Sequence, residues 1–362
     1  MFNLIRLFIL ITLVLGSLYP ANSITLAQAP AAQTNDDRER GIQLYRSNSF
    51  VEAAKVLKAS VKKNATDELA WHYLGLALAQ QPKELKNASK AFETAIKLRP
   101  DFAAAHASLS YVLLLRNKSS EALREAQSAL AIQPGLAIAH HVVSVVRLNA
   151  RAFEEALTAA KESIRLNPNL AVAYLVKSEA LWGIYAGPAE TSFLTKPAPA
   201  AVSPLTPEQQ EERRQTRSRN AAILAESAES LEKYLKLNPT DPSAALWREQ
   251  LLTLKVLGNV GKTPEEVVKY GDEVNTKARV LAKPEPVYTE AARQARITGT
   301  VVLRAVFSED GRVRHIIVIK GLPYGLTEQA LIAARGIRFT PAMLDGVPVS
   351  MFIQLEYNFH LF

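Results

Sequence analysis

The 362-residue chain contains no cysteine. That excludes a disulfide framework, a thiol nucleophile and a zinc site built on thiolates, and it fits an exported protein that relies on packing. Signs of other chemistry are equally scarce. Gly258-Asn259-Val260-Gly261-Lys262-Thr263 has two residues between its glycines where a phosphate-binding loop needs four, and no strand precedes it. It reads as a turn. His315 and His360 have no carboxylates at ligand spacing, and pairs such as Glu154-Glu155 and Glu265-Glu266 read as solvated helix faces. No nucleophile, base and orienting group come together. The sequence therefore assigns no catalytic, cofactor-binding or metal-binding residue, and the expectation is a protein that is not an enzyme. After the first 23 residues no stretch is apolar enough to span a bilayer.

The composition is that of a globular protein, with 48% apolar and 22% charged residues. The length allows two or three domains with separate cores. The formal net charge is +8. Within 275–362 eleven Lys/Arg stand against seven Asp/Glu, so half the excess lies in the last quarter. Those basic residues alternate with apolar ones, the pattern of a solvated sheet face and not of a nucleic-acid surface.

The N-terminus stands apart. Arg6 precedes a nearly unbroken apolar stretch, Leu7 to Leu15, and small residues follow at Ala21-Asn22-Ser23. This is the layout of a secretory signal peptide, with cleavage expected after Ser23. Phe2 to Tyr19 also reaches the length of an uncleaved anchor. Either reading sends residues 36–362 across a membrane: periplasmic in the first case, inner-membrane anchored and facing the periplasm in the second. Without a cysteine after the apolar stretch, lipid attachment there is excluded.

Between these ends three segments match: Ile96-Lys97-Leu98-Arg99-Pro100, Leu130-Ala131-Ile132-Gln133-Pro134 and Ile164-Arg165-Leu166-Asn167-Pro168. Their prolines follow one another at 34 residues, the period of a helix-turn-helix repeat that buries its apolar stripe only by stacking on neighbours. The clearest unit carries Trp71, Leu74, Gly75 and Leu78, then Ala88, Phe92, Ala95 and Pro100. The next holds His106, Leu109, Ser110, Ala122 and Pro134, and the one after it His140, Val143, Ser144, Ala156 and Pro168. This pattern resembles the tetratricopeptide repeat. Small residues at Gly75, Ser110, Ser144 and Ser178 let paired helices approach closely, and Ala88, Ala122 and Ala156 do so from the facing helix. His106 and His140 occupy the slot of Trp71 and Tyr174, so both are expected as buried rings. A fifth unit opens at Tyr174 and is interrupted by a proline-rich stretch, 187–207. It resumes with Leu231, Tyr234, Leu237 and Pro239, and a helix from Ser243 to Leu257 closes the array. These residues are packing residues and name no ligand.

Beyond Gly258 the period changes to two. Thr300 to Phe307 and Val313 to Ile319 read as strands, joined by a turn at Asp310-Gly311. Leu326 to Arg335 reads as an amphipathic helix with Ala330, Leu331 and Ala334 inward, and Val349 to Phe359 as a last strand. The segments Pro286-Val287-Tyr288, Ala291-Ala292-Arg293, Ile297-Thr298-Gly299-Thr300-Val301, Asp310-Gly311-Arg312-Val313, Arg338-Phe339-Thr340-Pro341-Ala342 and Asp345-Gly346-Val347-Pro348-Val349 resemble the TonB C-terminal domain over nearly all of 280–362. The family commonly has Tyr-Pro where this chain has Tyr288-Thr289.

The expected fold is thus multidomain: an all-α solenoid over 36–257, a linker 258–279, and a small α+β (ββαβ) domain over 280–362, preceded by the leader 1–23 and a linker 24–35. The TonB resemblance implies a periplasmic interaction module that couples inner-membrane motor proteins to outer-membrane TonB-dependent transporters by accepting a transporter segment as an added strand. The expected edge is Val349, Ser350, Met351, Phe352, Ile353, Gln354, Leu355, Glu356 and Tyr357. Two departures bear on that role. Helical repeats replace the family's usual proline-rich spacer, and the apolar N-terminal segment lacks the histidine of classical transducer anchors. An envelope assembly scaffold, in which edge pairing makes a homodimer without energy transduction, is the alternative. Protein partners are expected in both cases, and nucleic acid in neither.

Overall fold

The computed structural model describes residues 36–186, 206–261 and 267–360. The leader 1–23, the linker 24–35, the proline-rich stretch up to residue 205, and Lys262 and Thr263 of the loop after Gly258 lie outside the described residues. Among the described residues no helix is long and apolar enough to cross a membrane. No group of three or more His, Asp or Glu among them is placed to hold a metal ion. The chain forms two compact units. One ends at Leu181 and takes back Ser230–Ala244, and the other comprises Trp182–Glu229 and the chain from Ala245 onward.

The first unit is a series of antiparallel helices: α1 (Asp36–Arg46), α2 (Phe50–Lys63), α3 (Glu68–Ala79), α4 (Leu85–Leu98), α5 (Ala103–Leu115), α6 (Ser119–Ile132), α7 (Ala137–Asn149), α8 (Phe153–Leu166) and the start of α9 (Ala171–Tyr185). From α1 to α8 each helix packs on the one before and the one after, as in a repeat solenoid. A 3₁₀ turn at Pro82–Glu84 takes up the extra residue between α3 and α4. Leu74, Ala88, Phe92, Ala122 and Ala156 are buried, as are the small residues Gly75, Ser110, Ser144 and Ser178. Pro100, Pro134 and Pro168 lie exposed just past α4, α6 and α8. The residue before each is extended: φ/ψ is −137/91 at Arg99, −138/97 at Gln133 and −140/91 at Asn167. A following proline disfavours the helical region for its predecessor, so sequence and geometry agree.

The turns inside the pairs have their own signature. Asn48, Asn117 and Arg151 adopt φ of 61°, 59° and 59°. The next amide in each case reaches back five residues: Ser49 N to Leu44 O, Lys118 N to Leu113 O and Ala152 N to Arg147 O, all 2.9 Å. These are helix ends closed by a left-handed residue.

The second unit holds most of α10 (Pro207–Leu237), α11 (Ala244–Leu257) and the C-terminal module. The module contains β1 (Arg279–Ala282), α12 (Glu290–Gln294), β2 (Gly299–Phe307), β3 (Val313–Lys320), α13 (Leu326–Arg335), β4 (Arg338–Thr340), β5 (Ala342–Leu344), β6 (Val347–Val349) and β7 (Met351–Phe359). The expected hairpin, helix and final strand are present, with a three-stranded antiparallel sheet in the order β3-β2-β7. Two further strand pairs, β1 with β4 and β5 with β6, flank it. The expected single strand from Val349 is in fact two. Asp345 (φ 50°) and Gly346 (φ 83°) make a two-residue turn that returns the chain as β6, where Val349 pairs with Ala342.

The core lies between the sheet and α13: Val301, Leu303, Ala305 and Phe307 meet Leu326, Ala330, Ala333 and Ala334. Leu331 is only partly buried against it. Phe307 stacks on Phe339 with ring centroids 4.0 Å apart. The other face of β2 is buried too, through Val302, Arg304 and Val306. The Arg304 guanidinium there donates to the Tyr185 hydroxyl. Burial on both faces explains why β2 reads as a continuous apolar run instead of an alternating one.

Candidate partner-binding edge

β7 is an edge strand. Its nine residues pair with β2 in unbroken register, from Gly299 opposite Phe359 to Phe307 opposite Met351. In such a ladder alternate residues turn their N–H and C=O away from the partner strand. The outward set is identified by two bonds: Lys269 N donates to Ser350 O and Phe352 N donates to Lys269 O, both 2.9 Å. Gln354, Glu356 and Asn358 continue that set. The Lys283 ammonium donates to Glu356 O at 2.7 Å and sits 4.5 Å from the Tyr357 ring centroid. Among the described residues no main-chain group bonds the outward N–H and C=O of Gln354 and Asn358.

The nine residues expected at the edge therefore divide. Val349 belongs to the β5–β6 hairpin and is not part of the edge. Ser350 O and Phe352 N are taken by Lys269, and the Ser350 hydroxyl is bound by Glu309. Met351, Leu355 and Tyr357 are buried and Ile353 half-buried; the backbone of all four is paired to β2. Gln354 is the open position among the nine; Glu356, whose carbonyl takes Lys283, accepts from Gln354 Nε2 at its Oε1 over 2.8 Å. The Gln354 side-chain oxygen is buried and accepts no hydrogen bond among the described residues. Burial, with the charge of Glu285, raises the Tyr357 hydroxyl to about 12, so it stays protonated.

The other edge, β3, is built differently. Its register with β2 shifts twice, and His315 sits at φ 48°. Arg314, paired with Asp310 at 2.5 Å, and Lys320 are exposed. Bulges and cations deter strand pairing, which leaves β7 as the regular edge.

A scan against protein families matches residues 284–361 to the Gram-negative bacterial TonB protein C-terminal family. This module is a TonB C-terminal domain. Its Tyr288-Thr289 departure has a structural role: the Thr289 hydroxyl accepts from Ala292 N at 3.3 Å, capping α12, and donates to Tyr324 O at 2.6 Å. The segment bearing Lys269 precedes the matched residues.

Solved tetratricopeptide-type structures are similar to the helical region. MamA from Desulfovibrio magneticus RS-1 is 18% identical, with 57% of this chain and 96% of that one covered at a TM-score of 0.38. PilW, a type IV pilus biogenesis factor, is 18% identical over 64% of this chain and 89% of its own, at 0.43. YrrB, a TPR protein with an unusual peptide-binding site, is 16% identical over 59% and 90%, at 0.37. A search of curated proteins found no match.

The repeat slot holding His106 and His140 differs from expectation. These rings are half-buried clamps on the carbonyl six residues upstream. Trp71 Nε1 donates to Ala65 O at 2.9 Å, and the Tyr174 hydroxyl to Pro168 O at 3.2 Å. His106 Nε2 lies 3.1 Å from Pro100 O and His140 Nε2 3.0 Å from Pro134 O. A carbonyl only accepts, so both nitrogens carry the proton; Nδ1 of His106 meets Glu125 at 2.7 Å. The fully buried histidines are His72 and His141, each one residue past a ring of this slot, Trp71 and His140.

Proposed function

We propose that this chain is a periplasmic adaptor in which the TonB C-terminal domain takes a short extended segment of another protein as a fourth strand beside β7, while the helical array holds a second protein. Segments of outer-membrane TonB-dependent transporters are the proposed strand, and inner-membrane motor proteins the proposed counterpart. The observation that carries this reading is the regular β7 edge with open backbone groups at Gln354 and Asn358. An extended peptide completes such groups at little cost in reorganisation.

The test is Gln354→Pro in the full chain. The amide it deletes points away from β2, so the domain keeps its own ladder, and edge strands tolerate proline. Binding of a transporter plug peptide should fall by at least tenfold. Undiminished binding overturns strand addition here. The neighbouring substitution Ile353→Pro would remove an amide paired to β2 and test folding instead.

The same edge favours a second reading, pairing of β7 with β7 of another copy in an assembly scaffold. Sedimentation of the full chain separates the two, because Gln354→Pro should then dissociate a dimer.

A further inference from the structure

Val268 is buried and its amide donates to the Asn259 side-chain oxygen at 3.1 Å. The next residue, Lys269, lies parallel beside Met351 and takes the first outward bonding position of β7. The chain then turns away at Tyr270–Glu273, where Tyr270 N donates to Glu273 Oε2 at 2.6 Å and Glu273 N to Tyr270 O at 2.9 Å. It is fixed again at Thr276, which exchanges backbone bonds of 2.8 and 3.1 Å with Met343 of β5. Residues 267–276 thus form a strap across the start of the β7 edge.

Arg217 of α10 reaches the strap, and Arg213 of the same helix adds its charge near Asp272. Arg217 Nη2 lies 2.5 Å from Asp272 Oδ1 and Nη1 3.9 Å from Glu273 Oε1. Its guanidinium also stands 4.1 Å above the Tyr270 ring. That ring meets Phe352 of β7 at 5.0 Å. Arg217 therefore holds the strap's turn through both carboxylates and its aromatic ring, 55 residues away in sequence.

We propose that the strap is a resident pseudo-ligand, its Lys269 occupying the first bonding position of the partner-binding edge, and that Arg217 sets how readily an incoming strand displaces it. The inference rests on the proposed strand addition at β7. With the strap in place a partner finds only the stretch from Phe352 O to Asn358, interrupted by the Lys283 cap. With the strap released it gains Ser350 O and Phe352 N as well. Strap and α10 both lie outside the residues matched to the TonB family, 284–361.

Hydrogen exchange on the full chain, without any partner, tests the lock. In Arg217→Ala the amides of Lys269 and Phe352 should exchange roughly tenfold faster than in the parent, while those of Leu303 and Leu355 keep their rates. Arg217→Lys, which keeps the charge and loses the fork, should fall between. Unchanged rates at Lys269 and Phe352, or an equal rise at Leu303 and Leu355, overturn the proposal. Failure of a transporter peptide to bind the parent chain would sink strand addition and leave these rates as they are.

Discussion

Gly75 faces the Phe92 ring so closely that a Cβ on it would stand 2.5 Å from Cε1. α3 and α4 approach at that point because one residue has no side chain. Gly75→Ala gains about 1 kcal/mol of helix propensity, but pushing a fully buried ring aside costs about 1–3 kcal/mol or more. The clash outweighs the propensity, and urea unfolding should show a net loss of up to about 2 kcal/mol. Phe92→Leu in the Gly75→Ala background should recover part of it.

The ring clamps should each contribute modestly and independently. His140→Phe keeps the bulk and leaves Pro134 O without its donor, so it should cost about 1 kcal/mol. Tyr174→Phe should cost a similar amount through Pro168 O. The two slots are 34 residues apart, and their losses in denaturant midpoint should add. A neutral His140→Phe would mean that the ring's packing alone matters.

Arg151 occupies a left-handed position, φ 59°, that its counterparts fill with Asn48 and Asn117. Asparagine and glycine tolerate this conformation better than arginine. Arg151→Gly should therefore stabilise the array by about 0.5–1 kcal/mol, read as a rise in melting temperature.

Burial holds His141 down to about 4 and His72, buried beside the Arg99 charge, to about 3. Both are neutral in the fold and gain protons more readily when unfolded, where the ordinary value is about 6.5. Stability should be level above pH 6.5 and fall as pH drops toward 4. The His141 share is on the order of 3 kcal/mol if fully expressed. His141→Leu, copying Leu175 at the same slot one repeat on, should flatten the acid limb. An unchanged slope would place the acid sensitivity elsewhere.

The parts of the fold legible in the sequence are those with local signals. The 34-residue proline spacing marked helix ends because proline acts on the residue before it, and Leu326–Arg335 is helical at the expected limits. The small slots were legible because close helix approach restricts residue size. The strap was not. Lys269 joins β7 through two backbone bonds, and backbone pairing over one residue leaves no periodic trace. The β5–β6 hairpin had a trace, since Asp345-Gly346 is a short-turn pair, but Val347-Pro348-Val349 ran into the next strand's pattern. From sequence Val349 accordingly reads as edge, whereas it belongs to the hairpin. The double burial of β2 hid Arg304, whose partner Tyr185 lies 119 residues away.

The most direct test of strand addition is amide protection along β7 of the full chain, with and without a transporter plug peptide. Addition predicts that the amides of Gln354 and Asn358, open in the free chain, become protected on binding, while those of Leu355 and Tyr357 stay as they were. Peptide binding that leaves Gln354 and Asn358 exchanging as fast as before would contradict it.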